Sequence, residues 1–127
     1  LQPLYDGLRD MIPAEKLEDY IENNIVQIAP LAFMRGRTLD NAFVILDEAQ
    51  NATEGQIKMF LTRMGKNAKF IINGDPSQVD LPRNQNSGLI KAMAVLRDIE
   101  GIAIVELDEN DVIRHRLVKK IIKAFKQ

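Results

Sequence analysis

The sequence has no cysteine and no tryptophan, one histidine, two tyrosines and five phenylalanines among 127 residues. Without cysteine, disulfides and thiolate metal sites are excluded, which fits a reducing cytosol. Nothing marks the single histidine, His115, as a metal ligand or a base. No sign of charge dominates: 17 basic against 18 acidic side chains leave a net charge of −1. That argues against a surface that binds nucleic acid all over, and leaves room only for a local basic patch. The longest strongly apolar run, Ala42 to Leu46, falls far short of the roughly 20 residues a membrane span needs. There is no repeat, no low-complexity tract and no Gly/Ser linker. The chain opens at Leu1 with neither an initiator Met nor a signal-peptide pattern, and is expected to be an excerpt of a longer protein.

What is present suffices for a core. Hydrophobic residues make up 46% and charged residues 28%, and the length suits one compact domain over residues 1–127. Pro3 fits the first turn of a helix with Leu4, Leu8, Met11 and Ile12 on one face. Pro13 restarts a second helix, with Leu17, Tyr20 and Ile21 inward, which stops at Asn23-Asn24. Ile25 to Ala29 reads as a short strand ended by Pro30. Phe43 to Leu46 is a continuous apolar run of the kind buried parallel strands show. Thr53 and Gln56 form a capping box for a helix with the stripe Ile57, Phe60, Leu61 and Met64, and Gly65 reads as its left-handed stop. Lys69 to Ile72 is the next strand. Ser87 caps a helix with Leu89, Ile90, Met93 and Leu96 inward, and Gly101 follows it. Ile102 to Val105 reads as a strand, and Val118, Ile121, Ile122 and Phe125 mark a last helix. Strands alternating with helices in this way imply an α/β fold with right-handed crossovers and a parallel sheet. Ligands of such sheets bind beyond the carboxyl ends of the strands.

Two consecutive strands end in acidic residues. The first gives Leu46-Asp47-Glu48-Ala49-Gln50, the second Asn73-Gly74-Asp75-Pro76-Ser77-Gln78. Four apolar residues followed by Asp-Glu is the Walker B arrangement, whose Asp holds Mg²⁺ directly or through water. Neighbouring residues on a strand point to opposite faces, so Asp47 and Glu48 can divide the labour: one faces the metal, the other polarises a water. Gly74 allows a sharp turn at the sheet edge. Gln78 carries one acceptor and two donors, enough to meet a γ-phosphate oxygen and the attacking water together. Taken singly, each strand end reads better as a solvated turn. Two of them joined by one capped helix favour a nucleotide site. The phosphate cradle G-x-x-x-x-G-K-[ST] is absent. The one Gly-Lys pair, Gly65-Lys66, follows a helix and precedes Asn67, so it is a helix stop.

Several segments, in order, resemble one family. Ile28 to Leu39 (IAPLAFMRGRTL), Phe43 to Thr53 (FVILDEAQNAT), Lys58 to Arg63 (KMFLTR), Gly74 to Pro82 (GDPSQVDLP) and Ser87-Gly88-Leu89 are similar to PhoH-like proteins over nearly the whole chain. The resemblance implies a P-loop NTPase (RecA-like) core related to superfamily-one helicases, incomplete at its N-terminal side, with the P-loop upstream of this chain. It implies ATP and Mg²⁺ as ligands, a cytoplasmic enzyme, and a link to RNA. By the same resemblance Asp47 is the Mg²⁺ ligand and Glu48 the catalytic base. Gln78 senses the γ-phosphate, and Asp75 orients water or metal beside it. One departure stands out. The family pattern Arg-His-Pro-Leu-Val is here Arg114-His115-Arg116-Leu117-Val118, and losing Pro removes a fixed helix start, so the last helix is expected to begin earlier. Arg114 is the candidate arginine finger, acting on a neighbouring subunit in a homo-oligomer.

Other basic residues have bland readings beside the functional ones. Arg35-Gly36-Arg37-Thr38 is a basic loop able to meet phosphates of a nucleotide or of RNA, and equally a solvated connection. Arg63 suits a helix C-terminus whatever its function. Lys119, Lys120, Lys123 and Lys126 read as solvated faces of the last helix rather than an RNA ridge. Three functions compete: an ATPase working through Asp47 and Glu48, an ATP-driven RNA or DNA remodeller, and a non-catalytic module keeping the fold. A remodeller needs basic residues with interleaved aromatics, which are scarce here. The intact Asp47-Glu48 pair counts against the third, and the missing P-loop counts for it.

Overall fold

The computed structural model describes residues 2–82 and 86–126. They fall into two compact units, Leu1–Ala92 and Met93–Gln127.

In the first unit, α1 (Gln2–Met11) and α2 (Ala14–Glu22) pack on each other. Pro13 sits at the cap of α2, with its fixed φ of −53° leading into the helix. Leu17 is the buried anchor of α2, whereas Ile21, expected inward, and Met11, on the apolar face of α1, are exposed. Asn24, at φ 58°, breaks the helix in the left-handed region that Asn tolerates. The expected strand at Ile25 to Ala29 does not form. The N–H groups of Ile25 and Val26 both donate to the Tyr20 carbonyl, at 2.8 and 3.1 Å. Those donors close the end of α2 and so cannot enter a sheet ladder. A 3₁₀ turn, Leu31–Met34, follows Pro30.

The centre of the unit is β1 (Phe43–Leu46), α3 (Glu54–Leu61) and β2 (Lys69–Ile72). The strands are parallel and in register, Phe43 beside Lys69 through Leu46 beside Ile72. An isolated parallel bridge between Leu39 and Met64 precedes the ladder, one residue out of its register. The capping box forms as expected: Gln56 N–H donates to Thr53 Oγ1 at 3.3 Å, and Thr53 N–H to Gln56 Oε1 at 2.9 Å. Ile57 and Phe60 of α3 are buried, and the Phe60 ring lies 5.0 Å from that of Phe70 on β2. On the other face of the strands Phe43, Ile45 and Ile71 are exposed. Among the described residues the sheet has these two strands.

Gly65 does not play the expected part. The helix already ends at Leu61, capped by Thr62, and Met64 lies beyond it, exposed. Gly65 is instead a point of close approach, where a Cβ would strike Asp40 Oδ1 and the Leu39 carbonyl. The left-handed residue in this turn is Asn67, at φ 56°.

Helix α4 (Leu89–Leu96) starts after Ser87, whose hydroxyl accepts the Leu89 N–H at 3.4 Å. Gly88 N–H donates to the Ala52 carbonyl at 2.8 Å, and any side chain at Gly88 would collide with the backbone of Thr53 and Glu54. Leu89 and Ala92 are buried, but Ile90, expected inward, is exposed.

In the second unit, Gly101 takes φ 94° after the helical turn. Ile102 to Val105 pairs with no other strand among the described residues, so the expected strand is absent. Helix α5 (Arg116–Phe125) begins where the family pattern has Pro, and no earlier. The reason is a substitute cap: His115 Nδ1 accepts the Leu117 N–H at 3.0 Å, satisfying a donor that otherwise has no partner in the first turn.

Candidate functional site

Because β1 and β2 are parallel and in register, their chains leave the sheet side by side at the same end. The Asn73 N–H donates to the Leu46 carbonyl, and the Ala49 N–H to the Asn73 carbonyl, both at 2.9 Å. The ladder is thereby carried past the strands into the two turns. The Asn73 side-chain amide donates to Asp47 Oδ1 at 3.0 Å, fixing the half-buried Asp47 carboxylate.

The next residue, Glu48, adopts φ 54° and ψ 40°. A non-glycine residue in this left-handed region costs of order 1–3 kcal/mol and persists only where its surroundings dictate it. Here they do. The chain passes straight into a 3₁₀ turn, Ala49–Asn51, whose Ala49 is fully buried. Gln50, in the same turn, is 2% exposed. Its amide nitrogen donates to Glu48 Oε2, and its oxygen accepts the Asp75 N–H at 3.0 Å. Asn51 Oδ1 accepts the Asp80 N–H at 2.7 Å. These side-chain amides tie the turn after β1 to the segment after β2.

Within that second segment Asp75 Oδ1 accepts both the hydroxyl of Ser77, at 2.7 Å, and its N–H, at 2.9 Å. The two donors, the hydroxyl foremost, stabilise the carboxylate and hold Asp75 below its ordinary value of 3.8. The Gln78 N–H donates to the Asp75 carbonyl at 3.0 Å, closing the turn. Gly74 owes its place to crowding rather than to an unusual backbone angle. Its φ is not positive, and a Cβ there would lie 2.9 Å from Gln50 Oε1.

Together these residues line an open cleft of about 510 Å³, a volume within the usual range for small-molecule sites. Asp47, Glu48, Gln50 and Asn51 form one wall; Asn73, Gly74, Asp75, Gln78 and Asp80 form the other. Four of the nine are carboxylates and none is basic, so the cleft attracts cations and rejects a bare polyanion. Among the described residues no three acidic or histidine side chains gather into a metal cage. That donor set does not suit a dedicated all-protein site. It does suit Mg²⁺, which commonly keeps several waters and takes one or two carboxylates together with substrate phosphates.

Of the residues singled out in the sequence, Asp47, Glu48, Asp75 and Gln78 share this cleft. Arg35 does not line it; it is exposed, just past the Leu31–Met34 turn and before Gly36 at φ 79°. Arg114 belongs to the second unit, exposed immediately ahead of the α5 cap. Gln50, Asn51 and Asn73 were missed. The available signal was a polar side chain between the small apolar Ala49 and Ala52, directly before a capped helix.

A family model described as PhoH-like protein matches residues 1–126. A PhoH-like protein of Bacillus subtilis (strain 168) is 58% identical over 125 residues, covering 98% of this chain and 39% of that protein. A PhoH-like protein of Synechocystis sp. is 52% identical over 127 residues, covering 100% and 39%. Protein PhoH of Escherichia coli (strain K12) is 44% identical over 126 residues, covering 98% and 36%. The chain thus spans about two fifths of the length of these relatives.

Proposed function

We propose that this chain, which belongs to the PhoH family, supplies the carboxylate side of a Mg²⁺-dependent ATP-hydrolysing site in a longer P-loop ATPase. On this reading residues 1–127 are part of one ATPase domain, and the phosphate cradle is contributed from outside them. The observation that carries the proposal is the convergence of Asp47, Glu48, Asp75 and Gln78 on one cleft, beyond the carboxyl ends of two adjacent parallel strands.

Each residue then has a role that fits its surroundings. Asp47, oriented by Asn73, takes Mg²⁺, which when bound neutralises phosphate charge. Glu48 accepts a proton from the attacking water, whose oxygen forms the new bond to the γ-phosphorus. The bond from that phosphorus to the β,γ-bridging oxygen breaks, and ADP leaves with the electron pair. Gln78 holds the attacking water and a γ-phosphate oxygen. Asp75, its carboxylate stabilised by the Ser77 hydrogen bonds, orients water or metal beside it.

We propose further that turnover serves RNA metabolism in the cytoplasm. The exposed Arg35 and Arg37 support this, flanking Gly36 in a loop open to phosphates. Among the described residues no helix is long and apolar enough to cross a membrane. In a homo-oligomer, Arg114 would reach the γ-phosphate of a neighbouring subunit as an arginine finger.

The test is phosphate release by the full-length protein bearing this chain, with Mg²⁺ titrated and single-stranded RNA present or absent. Asp47→Ala should lose Mg²⁺-stimulated turnover. An unchanged Mg²⁺ dependence would remove Asp47 from the site. RNA without effect on the wild type would remove the link to RNA.

A further inference from the structure

Glu48 alone does not account for how the attacking water is met, because the direction of its carboxylate is set by another residue. Gln50 is 2% exposed, and its side-chain amide spans the two walls of the cleft. The nitrogen holds Glu48 Oε2; the oxygen holds the Asp75 N–H. A buried amide is retained only where its donors and acceptor find partners, and both partners here belong to the candidate machinery. Gly74 supplies the room, since a Cβ there would press on this same oxygen.

We propose that Gln50 is the positioning residue for Glu48: it occupies Oε2, presents Oε1 to the attacking water, and ties that orientation to the Asp75–Gln78 turn. This rests on the ATPase reading above and adds a positioning residue to it. Through that one amide the Glu48 carboxylate and the Asp75–Gln78 turn are held together by two hydrogen bonds. Gln50 touches neither water nor phosphate in this scheme. It acts through Glu48.

Two substitutions separate this role from simple packing. Gln50→Met keeps the volume and loses both hydrogen bonds. Gln50→Glu keeps an acceptor for the Asp75 N–H, loses the donor, and sets a carboxylate against Glu48. In the full-length protein both should lower kcat about 10- to 100-fold while leaving KM for ATP within about twofold. The decisive variant combines Gln50→Met with Glu48→Gln. If Gln50 works through the base, the double variant turns over no more slowly than Glu48→Gln alone. A loss that multiplies in the double variant, or wild-type kcat in Gln50→Met, overturns the positioning role. Should Gln50→Met fail to fold, Gln50→Glu carries the same comparison. Wild-type turnover in Glu48→Gln would instead sink the ATPase reading underneath.

Discussion

Gly74 brings its backbone so close to Gln50 that an added methyl group would lie 2.9 Å from Gln50 Oε1 and 3.0 Å from the Gln50 backbone nitrogen. The third neighbour is Cδ2 of the buried Leu89, at 3.0 Å. Gln50 is also held in place, because its oxygen accepts the Asp75 N–H. Gly74→Ala should therefore destabilise the protein by about 1–3 kcal/mol, as overpacking does, and loosen the Gln50–Asp75 bond. The midpoint of urea unfolding should fall. An unchanged midpoint would mean that the two walls are not held as tightly as described.

The cleft shows how much of this arrangement can be read from residues alone. Asp47, Glu48, Asp75 and Gln78 were legible because strand ends announce themselves: an apolar run stops and acidic residues begin. The capping box at Thr53 and Gln56 was legible for the same local reason. Gln50 was not, since its importance comes from burial against a partner 25 positions away in sequence, which no local pattern encodes. Glycine misled in a related way. Gly65 and Gly74 suggested turns, yet both serve close contact with distant segments. The expected strands at Ile25 and Ile102 failed because a short apolar run becomes a strand only if a neighbour takes up its hydrogen bonds. At Ile25 the helix end took them first.

The hydrogen bonds from Ser77 lower the pKa of Asp75, which has a pH signature. The folded-state pKa of Asp75 is lowered, so its contribution to stability is fully present above the unfolded value and lost as pH falls through the folded one. Ser77→Ala removes the main cause. Followed by carboxyl NMR, Asp75 should titrate below 3.8 in the wild type and move upward in Ser77→Ala. Identical titrations in the two proteins would rule out Ser77 as the cause.

These 127 residues by themselves should not bind Mg-ATP tightly. Most of the affinity of a P-loop site comes from backbone N–H groups and a lysine around the phosphates, and the sequence has no such loop. Its cleft instead offers four carboxylates and no basic side chain. Two like unit charges about 4 Å apart repel by roughly 4 kcal/mol at an effective dielectric of 20, a penalty only a bound cation offsets. Titration calorimetry should show no low-micromolar binding. Finding it would put the phosphate site within this chain.

Glu48 as the base is the claim on which the rest depends, and single-turnover hydrolysis in the full-length protein reaches it most directly. Rapid-quench measurement of bound ATP conversion separates chemistry from product release, and ATP affinity is measured alongside. Glu48→Gln removes the proton acceptor and leaves metal and phosphate contacts in place. The chemical step should slow at least roughly a hundredfold with ATP affinity nearly unchanged. A chemical step as fast as the wild type's would contradict the assignment, and with it the reading of this cleft as a hydrolytic site.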